Sequence, residues 1–235
     1  MFGQSLIARV ARRVFDVAFS LVFLLAALPV FFVIAAVIYI DTGRPIFFAH
    51  RRLGLGGRPF FMYKFRKFHK ECSANGSQLT LSEDARFTRV GRLLAAYKLD
   101  ELPQFWNILI GDMSLVGPRP ESLFYRDCFV GGFERVLNFK PGLFGPGQVE
   151  FRNESALYPK SSDFDMYYRT VIFPAKARID LAYYPRRTIM LDLIWIARSV
   201  VATLNMNSGL EPDLGAQTRS PGSSENISTA PSQDR

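Results

Sequence analysis

Residues 98 to 120 read KLDELPQFWNILIGDMSLVGPRP. They set two carboxylates, Asp100 and Glu101, side by side and follow them with a rigid basic turn, Gly117-Pro118-Arg119-Pro120. Adjacent acids repel unless a positive charge sits beside them. A hard cation such as Mg²⁺ takes oxygen ligands, commonly one or two carboxylates together with substrate phosphates. With one acid on such a cation, the other is free to attack phosphorus and form an acyl phosphate. The basic residues of KFRK (64–67) and of the GPRP turn suit the same polyanion. A structural role competes for the acids. If a helix begins near Leu99, both lie at its N-terminus, where the macrodipole favours negative charge.

The chain around them has 235 residues, 49% of them apolar, and a formal net charge of +8. Surplus Lys and Arg can serve nucleic acid, an anionic lipid surface or a phosphorylated substrate. Neither the aromatic-basic pattern of an RNA-binding sheet nor zinc-finger spacing occurs, which excludes nucleic acid as the expected partner. Cys72 and Cys128 stand far apart outside any CxxC pattern, as in a reducing compartment. His50 and His69 have no metal-ligand spacing and read as surface residues in a basic neighbourhood.

The elements that must position the acids begin with a membrane segment. Residues 17 to 40, VAFSLVFLLAALPVFFVIAAVIYI, carry no charge. As a helix they would reach about 36 Å, enough to cross a bilayer core. The run is too long for a signal peptide and lacks its cleavage site. Pro29 removes one backbone donor and clashes with the carbonyl of Leu25, so a kink is expected there. Arg9, Arg12 and Arg13 precede the segment, and Arg44, Arg51, Arg52 and Arg58 follow it. Basic flanks on both sides favour a re-entrant helix that keeps both on the cytoplasmic face.

Beyond it, PIFFAHRRLGLGGRPFFMYKFRKF predicts short strands joined by a turn at Gly54, Gly56 and Gly57. Residues 70 to 83 read as a polar loop. A helix is expected over 86 to 97, with Val90, Leu93, Leu94 and Tyr97 on one face. A second is expected from Leu99, with Leu102, Phe105, Trp106, Leu109 and Ile110 inward and Pro103 in its first turn. The Gly/Pro-rich FKPGLFGPGQVEFRNESA predicts irregular chain. Residues 163 to 182 and 187 to 206 read as helices, the second amphipathic with Trp195 available for a membrane interface. From about Ser208 the composition is that of a disordered tail. The fold expected is α-rich α+β. It comprises a Pro-kinked re-entrant membrane helix (1–42), a small cytoplasmic catalytic domain with short strands and interfacial amphipathic helices (43–206), and a polar tail (207–235).

In order, RRVFDVAF, YKFRKF, DARFTRVGRLL, LDELPQFWNILIGDMSLVGPRP and KPGLFGPGQVEFRN resemble the bacterial sugar transferases, the monotopic polyprenyl-phosphate phosphoglycosyl transferases. The resemblance runs from about residue 12 to about 205. It implies transfer of a sugar-1-phosphate from a nucleotide diphosphate sugar, usually a UDP-sugar, to a polyprenyl phosphate at the bacterial inner membrane. By that similarity Asp100 is the nucleophile that captures the sugar phosphate and releases UMP. Glu101 binds Mg²⁺, and Arg119 holds phosphate oxygens. Lys64, Arg66 and Arg152 are the next expected phosphate contacts. Membrane lipids are implied partners, and a homodimer stays open as the assembly.

The chain departs from the family pattern at four places. Leu28 stands where Ser often precedes the membrane-helix proline. Ala95 replaces a basic residue five before the aspartate, while Lys98 stands where Ser or Thr is usual and is expected to restore that charge. PGQVEFRN lacks the aromatic or Ala before its Gln, and Phe151 replaces the usual Gly before Arg-Asn. Two other readings compete: a membrane scaffold that keeps the fold without catalysis, and a Mg²⁺-dependent hydrolase. A scaffold has no need of two adjacent acids, and no obvious general base stands near the pair for a hydrolase.

Overall fold

The structure is a computed structural model, and it describes residues 6–70, 84–159 and 163–204. Residues 71–83 of the polar loop expected over 70–83, Cys72 and the tail lie outside the described residues.

The charge-free run 17–40 lies within one long helix, α1 (Leu6–Thr42, 37 residues), about 55 Å in length. Pro29 lies inside it, on an exposed side, without ending it. The residues α1 buries are Asp16, Ser20, Ala27, Ile34 and Ile38. Their spacing follows the helical repeat, so they form a single stripe against the rest of the protein. The remaining surface of α1 is almost wholly apolar and exposed, from Leu6 and Ile7 through Phe32 and Val33 to Ile40.

A hairpin follows, β1 (Phe47–Leu53) against β2 (Pro59–Phe65), antiparallel with Phe47 opposite Phe65 and Leu53 opposite Pro59. Its turn needs positive φ at Gly56 and Gly57 (66° and 72°), which glycine adopts without steric cost. The turn falls where the glycines predicted it.

Helix α2 (Arg89–Ala96) starts from Thr88, whose hydroxyl accepts from the Gly91 amide at 2.8 Å. It is shorter than the 86–97 expected, and of the four residues predicted on one face Leu93 and Tyr97 are exposed. The helix packs so closely on the chain after β2 that a Cβ on Gly91 would lie 1.9 Å from the Lys67 carbonyl oxygen. In place of one helix from Leu99, a 3₁₀ turn (Leu99–Glu101) precedes α3 (Gln104–Ile110). Pro103 has no amide to continue the ladder, so the α-helical bonds begin only after it. That break changes which residues face inward. Gln104, Phe105, Asn107 and Ile108 are buried, whereas Trp106 (51% exposed) and Ile110 (50%) point out, contrary to expectation.

The segment from 139 to 156, expected to be irregular, contains regular structure. Strand β3 (Ser114–Val116) pairs in parallel with β4 (Gly142–Phe144), and α4 (Pro146–Glu150) follows. Glycine permits the pairing: a Cβ on Gly117 would sit 2.3 Å from the Lys140 carbonyl. The predicted helices at the C-terminal end are α5 (Phe164–Tyr167), a π turn at Tyr168–Ile172, α6 (Phe173–Tyr183) and α7 (Ile189–Leu204). The π turn precedes Pro174, whose ring would otherwise meet the carbonyl one turn back.

Three apolar clusters hold these pieces together. One joins Leu53, Tyr125, Phe151, Tyr168, Ile172 and Phe173. A second centres on Met62, Phe105, Ile108, Leu115 and Tyr184 and takes in Phe15, Phe23 and Leu24 of α1. The third sets Ile34 and Ile38 of α1 on Phe65 and Leu94. The described residues therefore form an α-rich protein with two small sheets, and α1 is part of its core.

Candidate active site

The acidic pair is placed by three short-range constraints. Lys98, the only non-glycine residue with positive φ among the described residues (φ 57°), turns the chain out of α2. A left-handed backbone is uncommon for a residue with a Cβ and stores strain. The 3₁₀ turn then presents Asp100 and Glu101 inward, and β2 supplies the opposing wall. Asn107 locks α3 to that strand: its side-chain oxygen accepts from Tyr63 N at 2.9 Å and its Nδ2 donates to Phe61 O at 2.7 Å.

Both acids are buried, Asp100 at 2% exposure and Glu101 at 7%. Two cations converge on one oxygen of Glu101: Lys64 Nζ donates to Oε1 at 2.8 Å and Arg119 Nη2 at 3.0 Å. No described residue bonds to Oε2. Burial alone would raise the Glu101 carboxyl, but Lys64, Arg119 and Lys98 outweigh it and hold it well below the usual range. Lys64 is pushed down to about 8 by burial, with Glu101 and Asp100 opposing the shift. Lys98 is likewise lowered by burial. The Glu101 carboxylate holds the half-exposed Arg119 guanidinium more firmly protonated.

Asp100 is treated differently. Its Oδ2 faces Lys67 Nζ at 3.6 Å, and its Oδ1 is buried with no hydrogen bond among the described residues. A carboxylate oxygen without a donor, shut away from water, is costly to keep and reactive when a partner arrives.

Of the residues singled out in the sequence, Asp100, Glu101, Lys64, Lys98 and Arg119 come together here. Arg66 and Arg152 are engaged elsewhere. Arg66 Nη2 donates to Thr42 Oγ1 at 2.5 Å and Gly43 O at 2.7 Å, fastening the end of α1. Arg152 donates to the hydroxyl and carbonyl oxygens of Thr203 at 3.0 and 3.2 Å, fastening α7. In this structure both expected phosphate contacts hold helix-end acceptors, though Nε and Nη1 of Arg66 are buried without a hydrogen bond. Sequence reasoning passed over Lys67. Strand alternation pairs Lys64 with Arg66, but β2 ends at Phe65, and beyond that point Lys67 turns toward Asp100. His50, read as a surface residue, is half-buried and pushed down to about 4 by burial, with Arg52 and Lys64 adding to the shift.

Behind Arg119 lies a second polar layer that the sequence did not announce. Glu121 accepts from the Tyr168 hydroxyl at 2.6 Å, and Lys176 bridges toward Glu121 (4.0 Å) and Glu154 (2.5 Å). A cavity of about 20 Å³ lies between Arg119, Glu121, Lys176 and Asp180, room for one water and too little for a sugar ring.

Desolvated acids and a ring of cations thus stand in one fold with a helix whose outer face is apolar and exposed. The chain belongs to the bacterial sugar transferase family, whose model matches residues 7–206. It is 34% identical over 211 residues to the exopolysaccharide production protein ExoY of Sinorhizobium fredii, covering 83% of this chain and 86% of that protein. To the UDP-glucose:undecaprenyl-phosphate glucose-1-phosphate transferase of Xanthomonas campestris it is 34% identical over 209 residues, 85% of this chain and 40% of the relative. To the UDP-N-acetylgalactosamine-undecaprenyl-phosphate N-acetylgalactosaminephosphotransferase of Aeromonas hydrophila it is 36% identical over 145 residues, 59% of this chain and 33% of the relative. The chain thus spans most of the first protein and well under half of the other two.

Proposed function

We propose that this protein moves a sugar-1-phosphate from a UDP-sugar to polyprenyl phosphate at the cytoplasmic face of a bacterial membrane, opening the synthesis of an exopolysaccharide. The names of its relatives support the donor and acceptor classes. The observation that carries the chemistry is the free, buried Oδ1 of Asp100 within a ring of cations.

Asp100 Oδ1 attacks the phosphorus that bears the sugar. A P–O bond forms to the carboxylate as the P–O bond to UMP breaks, and UMP leaves with the electron pair. A phosphate oxygen of the lipid then attacks the phosphoryl-aspartate, and the Asp100 carboxylate is released unchanged. Arg119 and Lys64 offset the charge that repels two anions as the phosphoryl group moves. Lys67 orients Asp100. One covalent relay lets a soluble and a lipid substrate use a single site in turn.

The chain's donor set fits Mg²⁺ in one specific way. The described residues hold no cluster of three or more metal ligands, so a protein-only cage is absent among them. Asp100 Oδ1 is nonetheless without a partner and the cations on Glu101 meet Oε1, and Mg²⁺ commonly takes one or two carboxylates plus substrate phosphates. Glu101 would hold it, and the ion would supply charge neutralisation at the diphosphate.

The same reading places both ends of α1 on one side of the membrane. Arg13 near its start donates to the Ile108 and Leu109 carbonyls (2.6 and 2.8 Å), and Thr42 at its end accepts from Arg66. A helix crossing a hydrocarbon core of about 30 Å would carry one end away from the domain. The apolar outer face of α1, with Trp106, Ile110 and the exposed row of α7, then rests in lipid.

The deciding experiment is UMP release from a panel of UDP-sugars in lipid nanodiscs with Mg²⁺ and polyprenyl phosphate. Release with one sugar, dependent on the lipid for turnover, is expected. Asp100→Asn should lower the rate at least about 1,000-fold and abolish the acyl phosphate. Glu101→Gln should lower it by a factor of about 100 or more. Normal turnover in Asp100→Asn would overturn the covalent route. No release with any UDP-sugar would overturn the donor assignment.

A further inference from the structure

Arg52 is a half-buried cation of the site whose guanidinium has no partner among the described residues. It lies on β1, pairs with Phe60 across the hairpin and bridges to Ser122, while the next amide, Leu53 N, donates to Glu121 O at 2.8 Å. Those bonds pin it beside the segment that begins with Arg119. Its Nε is sealed from solvent without a hydrogen bond, and its guanidinium makes no ion pair among the described residues. Lys64 and Arg119 take Glu101, Lys176 takes Glu154, and Arg187 takes Asp192, while the buried Arg66, away at the end of α1, has neutral acceptors in Thr42 and Gly43. Glu121, the nearest carboxylate by position, is occupied by the Tyr168 hydroxyl.

Drawing a guanidinium partly out of water without a counter-ion is unfavourable. Burial lowers Arg52 from its ordinary value, Glu121 opposes that shift, and Arg119 adds repulsion. It remains a cation, since arginine does not deprotonate in proteins. Counted together, Lys64, Lys67, Lys98, Arg119 and Arg52 exceed Asp100, Glu101 and Glu121 by two positive charges. His50, lowered to about 4, adds none at neutral pH. A surplus of that size, with one planar fork still open, suits an anion bearing more than one phosphoryl group.

We infer that Arg52 is a phosphate-binding residue of this site, holding the phosphoryl group of a diphosphate donor that Asp100 does not attack. The inference rests on the proposed reaction but assigns a residue and a subsite that the reaction alone does not. Its test uses the full chain in phosphatidylcholine nanodiscs and titration calorimetry with inorganic diphosphate and, separately, inorganic phosphate, each with Mg²⁺. Arg52→Gln should weaken diphosphate binding tenfold or more and phosphate binding less than threefold, with the melting temperature unchanged. Arg51→Gln, altered at the exposed neighbour, should bind as the unaltered protein does. Should Arg52→Gln lose stability, Arg52→Lys decides: it keeps the charge but not the fork, and is expected to bind diphosphate three- to tenfold more weakly.

Undiminished diphosphate binding in the Arg52 variants would overturn the inference. So would equal losses for both anions, or no diphosphate binding by the unaltered protein. If Arg52-dependent diphosphate binding persists while no UDP-sugar releases UMP, the subsite stands and the proposed reaction falls. If transfer proceeds and Arg52 affects neither anion, the reverse holds.

Discussion

At the scale of single residues the site is governed by one carboxylate oxygen shared by two cations and another left alone. That difference makes distinct demands on pH. Lys64, lowered to about 8, loses its proton just above neutrality, and Glu101 then loses one of its two partners. The proposed enzyme should show kcat/KM falling above about pH 8, a limb that reports the free enzyme. Lys64→Arg keeps the charge and should carry the limb beyond pH 9.5. A limb that stays at pH 8 in that variant would assign it to another group. Stability follows the opposite sign at this residue. A lysine with a lowered folded value binds fewer protons folded than unfolded, so its contribution improves as pH rises from about 8 to the ordinary lysine range. Glu101, held well below its ordinary value, contributes stability that is full above that value and lost as pH falls toward the folded one.

At the scale of elements, the clamp between α1 and β3 is the most exposed to test. Asp16 accepts from the Leu115 amide (3.0 Å) and the Ser114 hydroxyl (2.8 Å) in a buried setting. Asp16→Ala strands both donors and should cost about 2–4 kcal/mol in denaturant unfolding, with membrane attachment intact. Gly91→Ala should cost about 2 kcal/mol or more, because its methyl would displace the backbone of Lys67. Since Lys67 is the cation facing Asp100, that variant should also lower activity beyond its loss of folded protein. These contacts mark the limit of what the sequence disclosed. The charge-free run, the glycine turn of the hairpin and the acidic pair with its arginine were legible because local rules govern them. The break before α3 was misread: Pro103 suits a first helical turn, but the left-handed Lys98 ahead of it depends on packing. The parallel pairing of β3 with β4 joins residues 28 apart in the chain, which no local pattern records. Arg66 and Arg152 carried charge suited to phosphate, and only the tertiary positions of Thr42 and Thr203 show which acceptors they meet.

At the scale of the whole molecule, α1 is joined to the rest over most of its length. Arg12 meets Asp192 at 3.5 Å near one end, Phe23 stacks on Phe105 at 3.9 Å, and Phe31 meets Phe65 further along. Its outward face nevertheless offers almost nothing but hydrocarbon. Cysteines placed at Ile7 and Asp41, with the natural thiols changed to serine, should both react with a membrane-impermeant maleimide in inverted vesicles. Reaction at only one position would establish a spanning helix.

The Arg12 guanidinium also donates to the Arg187 carbonyl, 175 residues later in the chain. During synthesis at roughly 5–20 residues per second, α1 leaves the ribosome roughly ten to thirty-five seconds before that partner exists. Its apolar partners Phe65, Leu94 and Phe105 emerge earlier in that interval, so the contacts of α1 form in the order of the chain and the tie to Arg187 closes last. The helix therefore acts as a template made early, onto which the later-made half of the chain condenses.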